Sequence, residues 1–159
     1  MMENKLAGFH FNDSKYGDDD LTAGSINPYQ LFLIFNELVQ GMNDHNMNHA
    51  TDLSWMIDAS HNVKDPLEDL MQSVEAIKIA YAQALLIDAE MLKSAQVKND
   101  VAMAQEILQD AFRTDVRPLL TEARIRSEAA IKPIELFRKE KMREILIRER
   151  GTNTIATGL

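Results

Sequence analysis

Cysteine is absent from this chain of 159 residues. Its absence excludes disulfides, thiol catalysis, iron–sulfur clusters and zinc sites with cysteine ligands. Long apolar runs are missing too, since the longest spans only residues 31–35, whereas a membrane span needs roughly 18 residues. The first residues are polar and do not resemble a secretory signal. We therefore expect no transmembrane segment and no signal peptide, and a location in the cytoplasm or in a virion or secreted assembly.

Recognisable catalytic motifs are also missing. The sequence has no GxxxxGK[ST] or GxGxxG phosphate-binding loop and no Gly-x-Ser-x-Gly nucleophile elbow. The sequence therefore predicts no cofactor and a protein that is not an enzyme.

Charge is divided unevenly along the chain. The 17 basic and 25 acidic residues give a net charge of −8, but residues 1–112 carry −12 and residues 113–159 carry +4. Such a division favours attraction between the acidic body of one copy and the basic C-terminal helix of another. A solvated helix with paired charges is the simpler alternative. Nucleic acid is a possible but not a favoured partner, because the acidic body would repel it.

Helical patterns begin at Asn27 and Pro28, which are typical of an N-cap and a first helical position. An apolar stripe follows at spacings of three and four, formed by Leu31, Phe35, Leu38 and Met42. Helical spacing resumes over residues 53–63, so the pattern indicates either one long helix with a polar middle or two helices joined near residues 43–48.

Asp65, Pro66 and Glu68 form a capping-box pattern that predicts the start of another helix. Behind it an apolar row that includes Leu70, Val74, Ile77 and Tyr81 predicts a coiled-coil-like helix over residues 66–97. Apolar residues keep helical spacing beyond Pro118 and Pro133, each of which interrupts a helix. The last predicted helix covers residues 134–150 and ends before Gly151.

No segment shows convincing alternation of apolar and polar residues, so we predict an all-α fold. The expected architecture is an elongated helical bundle or a set of coiled-coil-like helices. The expected division is an irregular acidic N-terminal arm (1–26), a single helical domain (27–150) and a short C-terminal tail (151–159).

The strongest candidates for chemistry are His45 and His49, which would share a helix face with Asp52 as a third metal ligand. Asn46 stands where a metalloprotease would need its catalytic glutamate. We therefore expect these histidines to form hydrogen bonds rather than bind metal.

The functional hypothesis from sequence is a structural protein that self-associates into an oligomer or filament, as virion or secretion-apparatus components do. The expected interface consists of the apolar and basic residues Leu31, Phe35, Leu38, Met42, Leu70, Val74, Ile77, Tyr81, Arg138, Lys139 and Arg143. The alternative is a small helical adaptor that binds a protein or nucleic acid through its basic C-terminal helix.

Overall fold

A computed structural model describes residues 5–44, 53–59 and 65–149 of the chain. Within these ranges the protein forms seven helices and a parallel sheet of two strands. The prediction of a mostly helical protein is confirmed, but the prediction that the fold is all-α is wrong. The described residues show neither a helical bundle nor a coiled coil.

The sheet is built by a strand, a helix and a second strand in succession. Strand β1 (Gly8–Phe11) precedes helix α1 (Pro28–Asn43), and strand β2 (Ser54–Ile57) lies parallel to β1. Residues 8–11 fall in the segment that we expected to be irregular, and residues 54–57 fall in a predicted helix. Both expectations fail because strands of four residues are too short to show clear alternation, and their pairing joins segments 46 residues apart in the register Gly8↔Ser54.

The two faces of this sheet differ. Phe9, Phe11 and Trp55 lie on the face that packs against the helices, where the Phe11 ring stacks on Phe35 at 5.3 Å and Trp55 meets Tyr81 at 5.6 Å. Because side chains alternate along a strand, Gly8, His10, Ser54 and Met56 occupy the opposite face. His10, Ser54 and Met56 are exposed there, so within residues 5–44, 53–59 and 65–149 helices cover one face only.

The core lies between α1, α2 and the covered face of the sheet. Phe32, Phe35 and Leu38 of α1 are almost fully buried. Of the residues predicted to form an interface, Leu31, Phe35, Leu38 and Ile77 belong to the core of this chain. Met42, Leu70, Val74 and Tyr81 are half-buried.

Helix α2 (Pro66–Ala84) begins as predicted, because the Asp65 side chain accepts hydrogen bonds from the amides of Leu67 and Glu68. It ends at Ala84, so the single helix predicted over residues 66–97 is wrong. Asp88, which sequence periodicity placed inside that helix, instead caps helix α3 (Ala89–Val97) by accepting from the Met91 amide. Helix α4 (Val101–Arg113) follows and is capped by Asp100.

Three further helices, α5 (Arg117–Arg126), α6 (Pro133–Lys139) and α7 (Met142–Glu149), complete the described chain. Residues 134–150 were expected to form one helix, but α6 ends before Lys141, whose φ of 49° is left-handed. Each of the three helices forms an ion pair with α2 or its cap: Arg124 with Glu75, Arg138 with Glu68, and Arg143 Nε with Asp65 Oδ2. Acidic and basic parts of the sequence thus attract each other within one chain, whereas attraction between copies stays a prediction.

Among the described residues, no single helix has both the length and the hydropathy needed to cross a membrane. Helices α2 and α3 meet both requirements only when they are counted together, and they are bent by 70° relative to each other.

Candidate functional site at the carboxyl edge of the sheet

The carboxyl ends of β1 and β2 lie side by side, because the strands are parallel and in register from Gly8↔Ser54 to Phe11↔Ile57. A long loop, residues 12–27, leaves β1 at this edge and leads to α1. In α/β folds the loops at the carboxyl ends of parallel strands are the usual place for ligand-binding residues. The polar side chains at this edge are therefore the first candidates for function.

His10 and Asp58 meet across this edge. His10 Nδ1 lies 3.1 Å from Asp58 Oδ2, and both side chains are more than half exposed. Since an ionised carboxylate only accepts hydrogen bonds, this contact assigns the proton to Nδ1 and leaves Nε2 as an acceptor. Nε2 has no hydrogen-bond partner among the residues that the structure describes. A histidine oriented in this way by a carboxylate is suited to accept and return a proton.

Asn12 and Asp20 form a second polar contact beside the pair. The Asn12 side-chain amide donates to Asp20 Oδ1 at 2.6 Å. Desolvation and then the negative charges of Asp18 and Asp58 raise the pKa of Asp20 above its ordinary value. Because the charge of Asp58 acts on Asp20, the end of β2 and the loop lie in one region of negative electrostatic potential.

Asp13 holds the loop in place. It is buried, and its carboxylate accepts from the amides of Ile26 and Asn27 at 2.8 Å each and from the amide of Ser14 at 3.0 Å. Burial acts to raise the pKa of Asp13, but the hydrogen bonds from these amides outweigh it and lower the pKa. The side chain of Asn27 donates to Asp13 and does not cap α1, which corrects the role predicted for it.

Helix α2 holds the far end of the same loop. The Thr22 hydroxyl donates to Asp69, and the Ala23 amide donates to Ser73 Oγ at 3.2 Å. Asp69 and Ser73 are at most 1% exposed. Gly24 then turns the chain with a φ of 72°, and a Cβ there would lie 3.1 Å from Ala76. The loop is thus fixed at both ends by buried hydrogen bonds.

The sequence analysis did not single out His10, Asn12 or Asp58, and it assigned Asp20 to the acidic N-terminal arm. The signal was the alternation of Phe9, His10 and Phe11 directly before the polar residues Asn12 and Asp13, which is typical of a strand ending in a functional loop. His45, His49 and Asp52, the candidates from sequence, lie outside the described residues. Among the residues that are described, no group of three or more His, Asp or Glu side chains has the geometry of a metal site.

No protein-family model matches the chain. The chain is 51% identical over 146 residues to a protein of Rhizobium meliloti (strain 1021) named as a probable sugar isomerase, covering 92% of this chain and 34% of that protein. It is 50% identical over 156 residues to a probable sugar isomerase of Mesorhizobium japonicum, covering 97% of this chain and 35% of that protein. The chain thus spans about a third of the length of the curated relatives it matches.

These relatives overturn the functional hypothesis drawn from sequence. Identity of about 50% along nearly the whole chain to proteins named as enzymes contradicts a structural, virion or filament protein, and it contradicts the prediction that the protein is not an enzyme. The same finding points away from a helical adaptor. The prediction was wrong because a chain can lack nucleotide and nucleophile motifs and still belong to an enzyme.

Proposed function

We propose that this chain is the part of a sugar isomerase that carries the site formed by His10, Asn12, Asp20 and Asp58. The observation that carries the proposal is the identity of about 50%, over 92% and 97% of the chain, to two probable sugar isomerases. The position of the site at the carboxyl edge of a parallel sheet supports it.

The chemistry of isomerisation suits these residues. Converting one sugar into its isomer moves hydrogen within a single molecule, so the reaction needs groups that accept and return protons but no nucleotide or second substrate. His10, held by Asp58 at 3.1 Å, is placed for that role through Nε2. Asn12 and Asp20 supply an amide and a carboxylate, which together donate to and accept from sugar hydroxyls.

The charge of the site favours a neutral sugar over a sugar phosphate. Asp18, Asp19 and Asp20 lie in the loop, and Asp58 adds a further carboxylate across the edge. Lys15 is the only basic residue between β1 and α1, and its ammonium lies over the Tyr16 ring at 5.2 Å. A phosphate would therefore meet net negative potential, whereas uncharged hydroxyls would find acceptors.

Because the relatives are about three times as long, we infer that the active enzyme includes segments besides those of this chain. The test is a chimaera in which this chain replaces the matched 156 residues of the Mesorhizobium japonicum protein. The unaltered relative and the chimaera are each incubated with a panel of neutral aldoses and ketoses and with their phosphate esters, and isomers are followed by NMR.

We expect both proteins to interconvert the same neutral sugar and to leave the phosphate esters unchanged. A relative that isomerises no sugar, or a folded chimaera that is inactive beside an active relative, would contradict the proposed function. Turnover of a phosphate ester alone would contradict the assignment to a neutral sugar.

A further inference from the structure

Asp69 is a buried carboxylate that the proposed function does not use. It lies on α2, is 1% exposed, and is the most deeply buried acidic side chain among the residues that the structure describes. A carboxylate in the interior is costly unless hydrogen bonds stabilise it, and the Thr22 hydroxyl donates one to Asp69. Because α2 contributes to the core, this bond ties the loop after β1 to a fixed element of the fold.

Asp20, two residues before Thr22, has a strained backbone. Its φ of 46° lies in the left-handed region, which costs free energy for a residue with a Cβ atom. Such a conformation persists only where the surrounding structure holds it, and it is found most often at functional sites. In this conformation the Asp20 carboxylate accepts from the Asn12 side chain at 2.6 Å. The position of that carboxylate therefore depends on what holds the residues on either side.

The residues that follow Asp20 are held by two successive anchors. Leu21 pairs with Asp13 through the backbone: its amide donates to the Asp13 carbonyl at 2.7 Å, and its carbonyl accepts from the Asp13 amide at 2.9 Å. Thr22 then donates to Asp69. The second anchor has a charged acceptor, and charge-assisted hydrogen bonds are stronger than neutral ones. It is also the nearest link from Asp20 to a helix of the core.

We propose that Asp69 is a positioning residue for Asp20. By fixing Thr22, the Asp69 carboxylate holds the left-handed turn in which the Asp20 carboxylate stays beside Asn12 and accepts from a sugar hydroxyl. Without this anchor, the backbone of Asp20 would relax and its carboxylate would leave that position. The inference rests on the proposed function for the role of Asp20 in binding the sugar, and its structural part is tested separately.

The first test uses variants of the chimaera with the Mesorhizobium japonicum protein. Thr22→Val removes the hydroxyl and Asp69→Leu removes the acceptor at similar volume, whereas Thr22→Ser and Asp69→Asn keep a donor and an acceptor. For the neutral sugar we expect KM to rise about ten-fold in the first two variants, with kcat within about two-fold of the unaltered value, because a hydrogen bond to the sugar is lost. We expect Thr22→Ser and Asp69→Asn to keep the unaltered KM.

A purely structural role for Asp69 would give a different result. The matched control is Leu92→Ala, which removes a buried side chain on α3, where that helix packs against α4. Loss of folded enzyme lowers the apparent kcat and leaves KM unchanged. An unchanged KM in Thr22→Val, as expected for Leu92→Ala, would overturn the proposal.

A double variant tests whether Thr22 acts through Asp20. Asp20→Asn alone should raise KM, and adding Thr22→Val should raise it little further, because the carboxylate that Thr22 positions is already absent. If Thr22→Val raised KM by the same factor with and without Asp20→Asn, the proposal would be overturned.

Hydrogen exchange in the isolated chain tests the structural part without any activity, so an inactive chimaera would count against the proposed function alone. The Leu21 amide should exchange at least about ten-fold faster in Thr22→Val and Asp69→Leu, and at the unaltered rate in Thr22→Ser. The Ile26 amide, which the Asp13 carboxylate holds at the other end of the loop, should change less. Unchanged exchange at Leu21 in Thr22→Val would overturn the proposal.

Discussion

His10 Nδ1 and Asp58 Oδ2 lie 3.1 Å apart, across the carboxyl ends of two strands whose sequences are separated by the whole of α1. The contact exists because β1 and β2 are parallel and in register, so that the last residues of both strands reach the same edge. The contact holds the imidazole of His10 in one orientation through the carboxylate of Asp58. Further carboxylates lie close by in the loop, so the region carries an excess of negative charge.

Replacing Asp58 with asparagine is expected to lower isomerase activity of the chimaera by about 10²-fold or more, because the ring of His10 would lose the carboxylate that orients it. Stability should change by less than about 1 kcal/mol, since the pair is exposed to solvent. Steady-state kinetics and thermal unfolding check the two expectations.

The matched control is Asp115→Asn, which removes an exposed carboxylate paired with Arg117 at the start of α5. Activity should be retained in this variant. Equal losses in both variants would show that Asp58 acts only through the general charge of the protein.

Asp13→Ala is expected to destabilise the chain by about 2–3 kcal/mol, because three backbone amides would lose a buried charged acceptor. Urea unfolding of the isolated chain measures the change. Asp18→Ala, in the same loop but exposed, is the control and should cost well under about 1 kcal/mol. Comparable losses in the two variants would contradict the role given to Asp13.

Ser73→Ala is expected to cost about 1–3 kcal/mol, because the amide of Ala23 would keep its buried position and lose its acceptor at 3.2 Å. Ser94→Ala on α3 changes the same residue type at an exposed helical position and should be neutral or slightly stabilising. Denaturant midpoints for the two variants provide the comparison, and a neutral Ser73→Ala would exclude this hydrogen bond as an anchor of the loop.

Stability should fall as the pH drops below about 4.5, and Glu68 should account for part of the decrease. Its hydrogen bond with Arg138 lowers the pKa of Glu68 below the ordinary value of 4.5. Because the pKa is lower in the folded state, the stabilisation is present above the unfolded value and is lost as the pH falls through the folded one. Asp13 acts in the same direction, as does Asp115, whose pKa Arg117 lowers to about 2.

Melting temperatures measured from pH 6 down to pH 2.5 test this prediction. Glu68→Gln should flatten the pH dependence relative to the unaltered chain. Glu106→Gln on α4, where the glutamate is exposed and pairs with no charged group among the described residues, should leave the dependence unchanged. Identical curves for the unaltered chain and Glu68→Gln would contradict the assignment.

The sequence predicted those parts of the fold that local chemistry determines. Asp65 and Pro66 start α2 because a carboxylate cap and a proline at the first turn act within three residues. Asp88 misled the prediction, because a single acid in an apolar row looks the same whether it interrupts a seam or caps a new helix. The strands were missed because the segments GFHF and SWMI are stabilised by each other and by α1, not by their own pattern.

The candidate site could be predicted only in part. His10 is preceded and followed by phenylalanines and leads into Asn12 and Asp13, which indicates the end of a strand. Nothing in the local sequence brings Asp58 to His10, since that proximity results from parallel pairing across 48 residues. The uneven division of charge is used in part within the chain, since Glu68 and Glu75 bind arginines of the same chain. Association between copies stays a prediction.

The most direct test of the account is the isomerase activity of the chimaera with His10→Gln, measured beside the unaltered chimaera on the neutral sugar that the Mesorhizobium japonicum protein converts. Glutamine keeps hydrogen-bonding capacity and cannot carry a proton between carbons or oxygens. We expect a fall in kcat of about 10²-fold or more with an unchanged melting temperature. Full activity in the folded His10→Gln chimaera would contradict it.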